Sequence, residues 1–241
     1  MADQEVIKHV KHAVEVARSK RPWTHKLQEI LLEIVIIVFA VSLSIGLHNW
    51  SEGRKDREEE RDFLVGLKQD LQADLQDLQS GRGDFLNILA GTKYFVGIGN
   101  GAAPNPDSVK KYMPILFSYE EDYPRASRFE ALRGSGRLGI VRDKELLVDI
   151  TELYTKDFPH IARVDDYING LRKDHLLPFF AAHAQLNATA TDITNWEAFL
   201  RMPEVRIMVA TLNSATNNVD AYSRAIAQIE VIVKKIEKDL E

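Results

Sequence analysis

The chain has 241 residues, 45% hydrophobic and 28% charged, which is enough for one ordinary domain plus an appendage. Thirteen glycines and eight prolines are too few for a collagen-like or low-complexity chain, and zero cysteines exclude a disulfide scaffold, a thiolate metal site and a cysteine nucleophile. With 31 basic against 36 acidic residues, a net charge of −5, the composition carries no footprint of a nucleic-acid partner.

In residues 1–22, Val6, Ile7, Val10, Ala13, Val14 and Ala17 recur at helical spacing while Lys8, Lys11, Arg18 and Lys20 fill other faces. This predicts a basic amphipathic tail, ended by Pro22, suited to anionic headgroups or to a partner protein. Residues 23–50 hold the strongest signal in the sequence. Ile30 to Leu47 is an 18-residue run with one charge, flanked by Trp23 and Trp50, which sit where interfacial anchors belong. At ~1.5 Å per residue it is long enough to cross a hydrocarbon core as a helix. The 29 residues before it are too many for the charged region of a cleaved signal peptide, so a transmembrane signal anchor is expected. Basic residues tie across the span, with Lys11, Arg18, Lys20, Arg21 and Lys26 before it and Arg54, Lys55, Arg57, Arg61 and Lys68 after it. Long C-terminal domains translocate largely regardless of charge, so a cytoplasmic N-terminus and a periplasmic C-terminal domain are expected.

Residues 51–62 read as a charged stalk, and 63–241 as an extracytoplasmic helical domain. Leu64, Leu67, Leu71, Leu75 and Leu78 step by 3, 4, 4 and 3, the stripe of a straight helix, and SerGlyArgGlyAsp at 80–84 is expected to break it. A second helix follows from Asp84 to about Val96, then a loop at 97–106 whose glycines follow no strand and so make no phosphate loop. Asp107 or Ser108 is expected to cap a helix running to about Glu121, kinked at Pro114. Ser127 is expected to cap one over Phe129–Arg133, and Asp143 one carrying Leu146, Ile150 and Tyr154. Ile161, Val164, Ile168 and Leu171 mark a further helical face. Val219, Tyr222, Ile226, Ile229, Val233, Ile236 and Leu240 mark the last helix, expected to lie against the post-membrane one. No segment alternates with period two. The fold class expected is all-α: a single N-terminal transmembrane helix followed by an extramembrane helical bundle.

Glu33 early in the membrane helix, Asn49-Trp50 at its end, the charged helix to Leu78, GluAlaLeuArgGlySerGlyArgLeuGlyIle at 130–140, Asp143, Leu146, Ile150 and Tyr154 together resemble a family of uncharacterised bacterial single-pass inner-membrane proteins. The resemblance covers about half the chain. It implies a membrane anchor carrying a helical domain and implies no activity.

No catalytic pattern stands out. The seven histidines form no zinc motif, and His175 and His183, eight apart, are separated by Pro178. GlySerGly at 134–136 reads as a turn, and adjacent acids such as Asp165-Asp166 point apart on a helix. No metal and no cofactor are implied. Three polar features of the span remain. Glu33 must snorkel, face a partner or carry a proton. Ala40/Ser44 and Ser42/Gly46 place small residues four apart, which favours close packing of another helix. His48 could ligate a pigment or haem, although interfacial hydrogen bonding is the plainer role. The expectation is a non-catalytic interaction subunit of a larger membrane complex, photosynthetic or respiratory among the options, whose partners are the lipid bilayer and integral membrane subunits or a second copy. The alternatives are an extracytoplasmic sensor or ligand-binding bundle, and an enzyme whose site is assembled from scattered residues.

Overall fold

The computed structural model describes residues 23–117, 124–185, 188 and 193–241. The chain is all-α, and no strand occurs among the described residues. The expected amphipathic tail at 1–22 lies outside the described residues. Two compact units are distinguished, one ending at Glu60 and one beginning at Arg61.

Helix α1 spans Trp23–Gly99. Ile30–Leu47 and the 51–60 segment are both helical within it. The expected break at 80–84 does not occur. Glycine costs a helix ~1 kcal/mol relative to alanine, yet Gly81 falls on the buried face between Leu78 and Phe85, where packing on both sides outweighs propensity. That buried stripe runs Leu64, Leu67, Leu71, Asp74, Leu78, Gly81, Phe85, Ile88, Thr92, Phe95 and Ile98. Asp74, not Leu75, occupies the fourth position, and Leu75 is half-buried beside it.

Helix α1 ends in a Schellman motif: Gly101 N–H bonds Ile98 O at 2.9 Å, Ala102 N–H bonds Gly97 O at 3.0 Å, and Gly101 takes φ +100°. Helix α2, Pro106–Tyr112, is capped by Asn105, whose Oδ1 accepts from Ser108 N–H at 3.0 Å. The cap therefore lies before the expected Asp107 or Ser108. Pro114 ends this helix instead of kinking it, because Pro114–Leu116 form a 3-10 turn. The expected extension to Glu121 falls partly outside the described residues. Helix α3, Ser127–Gly134, includes Ser127 as its first residue and has no side-chain cap. It closes with a second Schellman motif around Gly136 at φ +72°.

Asp143 caps α4, Lys144–Glu152, as expected, accepting from Glu145 and Leu146 N–H. From here the backbone stays helical to His183 through α5, Phe158–Leu171, and α6, Leu177–His183. Two π turns join them, Leu153–Asp157 and Arg172–Leu176. Each π turn stands one residue before an X-Pro step, at Pro159 and Pro178. Proline donates no N–H and its ring clashes with the carbonyl four residues back, so a widened turn lets the helix continue past it. Helices α7, Trp196–Arg201, and α8, Pro203–Thr211, lead into α9, Thr216–Leu240.

In the unit beginning at Arg61, α9 packs antiparallel to α1, with Lys68 Nζ 2.8 Å from Glu237 and the Phe85 ring 5.4 Å from that of Tyr222. It is also antiparallel to the α4–α6 run, because Lys235 meets Asp149 at 2.7 Å while Tyr222 meets Asp165 at 2.7 Å. The core is this bundle, with Ala225, Ile229, Ile232 and Ile236 of α9 fully buried between the two neighbours. Truncating Ile229 to alanine should lower unfolding stability by about 2–5 kcal/mol in a denaturant titration, while Val231→Ala on the exposed face should change it by less than about 0.5 kcal/mol.

Candidate functional site

The apolar run of α1 presents its side chains outward. Eleven large apolar residues from Leu31 to Leu47 are exposed, Phe39 by 67%. One helix among the described residues, near the N-terminus, is long and apolar enough to span a membrane, with a peak mean hydropathy of 2.7. The small residues Ala40, Ser42, Ser44 and Gly46 are all exposed, and a methyl group added at Gly46 would meet nothing within 4 Å. At about 100° per residue, positions two apart differ by roughly 200° around a helix. Ala40/Ser44 and Ser42/Gly46 therefore lie on two opposite faces.

Glu33 departs from its surroundings. It is 7% exposed, and it is the buried residue within a stretch otherwise open. Ile30 and Ile37, three before and four after it on the same face, are half-buried. The residue is thus largely shielded from solvent. His48 Nε2 lies 3.3 Å from Glu52 Oε1, one turn on, and both side chains are well exposed. That contact is an ordinary helix-surface pair. Trp50 is exposed, with the Arg54 guanidinium 5.8 Å from its ring centroid. Trp23 starts the helix backbone, and its side chain lies outside what is described.

Beyond Arg61 the most developed polar cluster sits on α1 where leucines were expected to continue. Asp74 is buried and accepts from Arg125 N–H at 3.1 Å and from Arg125 Nη1 at 2.7 Å. The same Nη1 donates to Asp77 at 2.8 Å. Arg128 Nε donates to Asp70 at 2.9 Å, and its guanidinium lies so close over Gly66 that a Cβ there would clash at 2.2 Å. Asp70, Asp74 and Asp77 stand at helical spacing, so two arginines strap residues 125–128 along one edge of the stripe. Tyr154 Oη donates to Arg125 O at 3.3 Å, and its ring stacks on Phe129 at 4.5 Å. Burial, followed by the nearby Asp74 and Asp70 charges, pushes the Tyr154 phenol well above its ordinary range. Sequence reasoning missed this cluster, and the available signal was the i, i+4, i+7 spacing of three aspartates beside the leucines.

Asp165 is buried and accepts from Asn218 Nδ2 at 2.8 Å and Tyr222 Oη at 2.7 Å, while Asp166 is exposed, so the adjacent acids do point apart. Arg172, buried in the second π turn, donates to Ile115 O at 3.1 Å. His175 and His183 share one helical run despite Pro178. His175 lines a cavity of about 150 Å³ with Leu171, Ile207 and Thr211, whereas His183 Nδ1 lies 2.9 Å from Phe179 O and its ring stacks on that residue. Among the described residues no three His, Asp or Glu side chains gather around a common point. Comparison with known protein families, curated proteins and solved structures gives no match.

Burial raises the Asp74 carboxyl above its ordinary 3.8, and the Arg125 bonds that oppose this only partly offset it. The folded chain then binds this proton more tightly than the unfolded chain does. Asp74 accordingly adds stability as pH falls through the window between the unfolded and folded values, and loses it as pH rises through the folded value. A carboxyl-carbon NMR titration should place the Asp74 midpoint above 3.8, and Arg125→Ala should move it higher still. A midpoint at or below 3.8 would contradict the dominance of burial.

Proposed function

We propose that the chain is a single-pass, membrane-anchored interaction subunit without catalytic activity of its own, set in a bacterial inner membrane as the family resemblance implies. Its N-terminus is cytoplasmic, and the helical unit beginning at Arg61 stands in the periplasm. The membrane helix docks on integral membrane subunits of a larger complex, or on a second copy, through its small-residue faces. The observation that carries this reading is the run of exposed aliphatic and aromatic side chains from Leu31 to Leu47 on one continuous helix. Such a surface is stable in hydrocarbon and unfavourable in water. Within lipid, where apolar contact gives helices no advantage over acyl chains, association depends on close approach at small residues, which Ala40, Ser42, Ser44 and Gly46 provide.

Extraction in mild detergent followed by native mass measurement should find the chain in a defined complex, and a stable lone monomer would contradict the reading. Replacing Ser44 with Ile together with Gly46 with Leu blocks both faces. Association should be lost while membrane insertion is unchanged, and the single replacements should report which face docks.

A further inference from the structure

We propose that the cavity between the second π turn and helix α8 binds a small neutral phenol or compact alcohol, its apolar body filling the cavity and its hydroxyl bonding Thr211 and His175. The site lies wholly in the unit beginning at Arg61 and does not depend on the membrane reading above.

The backbone on both sides makes the space. One wall comes from Arg172–Leu176, where the helix widens into a π turn ahead of Pro178. The other comes from the end of α8, which tightens into a 3-10 turn at Leu212–Ala215. Helices interlock through ridges of matching pitch, and a widened turn against a narrowed one cannot match side chain for side chain. What is left is a cavity of about 150 Å³, with Leu171, Leu176, Met208 and Leu212 in its walls. His175 and Ile207 also line it and are exposed, so they mark its mouth. At 69%, Ile207 is the most exposed large apolar side chain among the described residues beyond Arg61, and an occupant of the mouth would cover it.

Volume and polarity together choose the occupant. An apolar cavity of roughly this size holds one benzene-sized molecule, or about five waters. Each water needs two to four polar partners, and the five apolar side chains of the lining supply none. The polar side chains there are His175 and Thr211. Thr211 Oγ1 donates to Ile207 O at 2.8 Å, so its hydrogen is committed and only its lone pairs remain for a ligand. The ligand must therefore bring a hydrogen of its own. A carboxylate has none, and an ammonium would lose its hydration against apolar walls. A hydroxyl satisfies both groups, donating to Thr211 and accepting from an N–H of the His175 ring.

The chain has four methionines, and Met208 lines the cavity whereas Met113 and Met202 do not. Full-length protein with carbon-13-labelled methionine methyls is held in mild detergent and titrated by NMR with p-cresol, toluene or benzoate. Ligand concentrations are those measured free at equilibrium with the micelles. p-Cresol should shift the Met208 methyl along a saturating curve while Met113 and Met202 stay still. Toluene should bind several-fold more weakly, and benzoate should give no shift. Thr211→Val, which keeps the shape and removes the acceptor, should weaken p-cresol several-fold and leave toluene unchanged. Ile207→Trp, at a position open enough to accept the larger ring, should block the mouth and abolish the shift, with an unchanged thermal midpoint showing an intact fold. A Met208 methyl that does not respond, or that moves without saturation together with Met113 and Met202, would overturn the site. Toluene binding as tightly as p-cresol, or p-cresol binding untouched by Thr211→Val, would overturn the hydroxyl assignment and the proposal with it.

Discussion

One constraint governs this molecule: a continuous helix displays a band of hydrocarbon that its own chain leaves largely uncovered. Eleven large apolar side chains between Leu31 and Leu47 are roughly half exposed or more. At ~1.5–3 kcal/mol for full burial of each, leaving them so in water forgoes on the order of 10 kcal/mol, comparable with the whole net stability of a typical domain. The backbone poses no competing problem, since a helix satisfies its own N–H and C=O groups and can enter hydrocarbon intact. On the proposed reading a bilayer supplies the missing environment, over a length that matches the run.

The unit beginning at Arg61 solves the ordinary version of the same problem. Stripes on α1, on the α4–α6 run and on α9 face one another and close a core that includes Leu67, Ile150 and Ile229 at zero exposure. Two buried acids inside it are matched. Asp74 has the Arg125 guanidinium and backbone N–H, and Asp165 has Asn218 and Tyr222. Removing one member of either set would leave a buried group without its partner, which costs more than the bond contributes. The polar contacts thereby fix which segments lie together, while the apolar stripe supplies the driving force.

Most of the fold was legible because helical periodicity is a local property. The stripe of α9, the Asp143 cap and the loop after Gly99 all follow from spacing and residue chemistry alone. Errors arose where tertiary packing overrides local preference. Gly81 and Gly83 signal a turn, yet the flanking residues share one core face and the helix continues. Pro178 was read as separating His175 from His183, yet a π turn carries the helix past it. The Asp74 cluster was hidden because its partners lie about fifty residues away, and nothing local marks an aspartate that will be buried by an arginine. Of the residues singled out in the apolar run, Ala40, Ser42, Ser44, Gly46 and Trp50 are exposed, whereas the low exposure of Glu33 has no signature in the run itself.

The account is tested most directly by washing membranes that carry the full-length chain with alkaline carbonate, which strips peripheral proteins and leaves spanning ones. The chain is expected to stay in the lipid pellet, and a Phe39→Lys, Leu43→Lys double replacement within the run is expected to release it. Release of the unaltered chain into the wash would contradict the central claim.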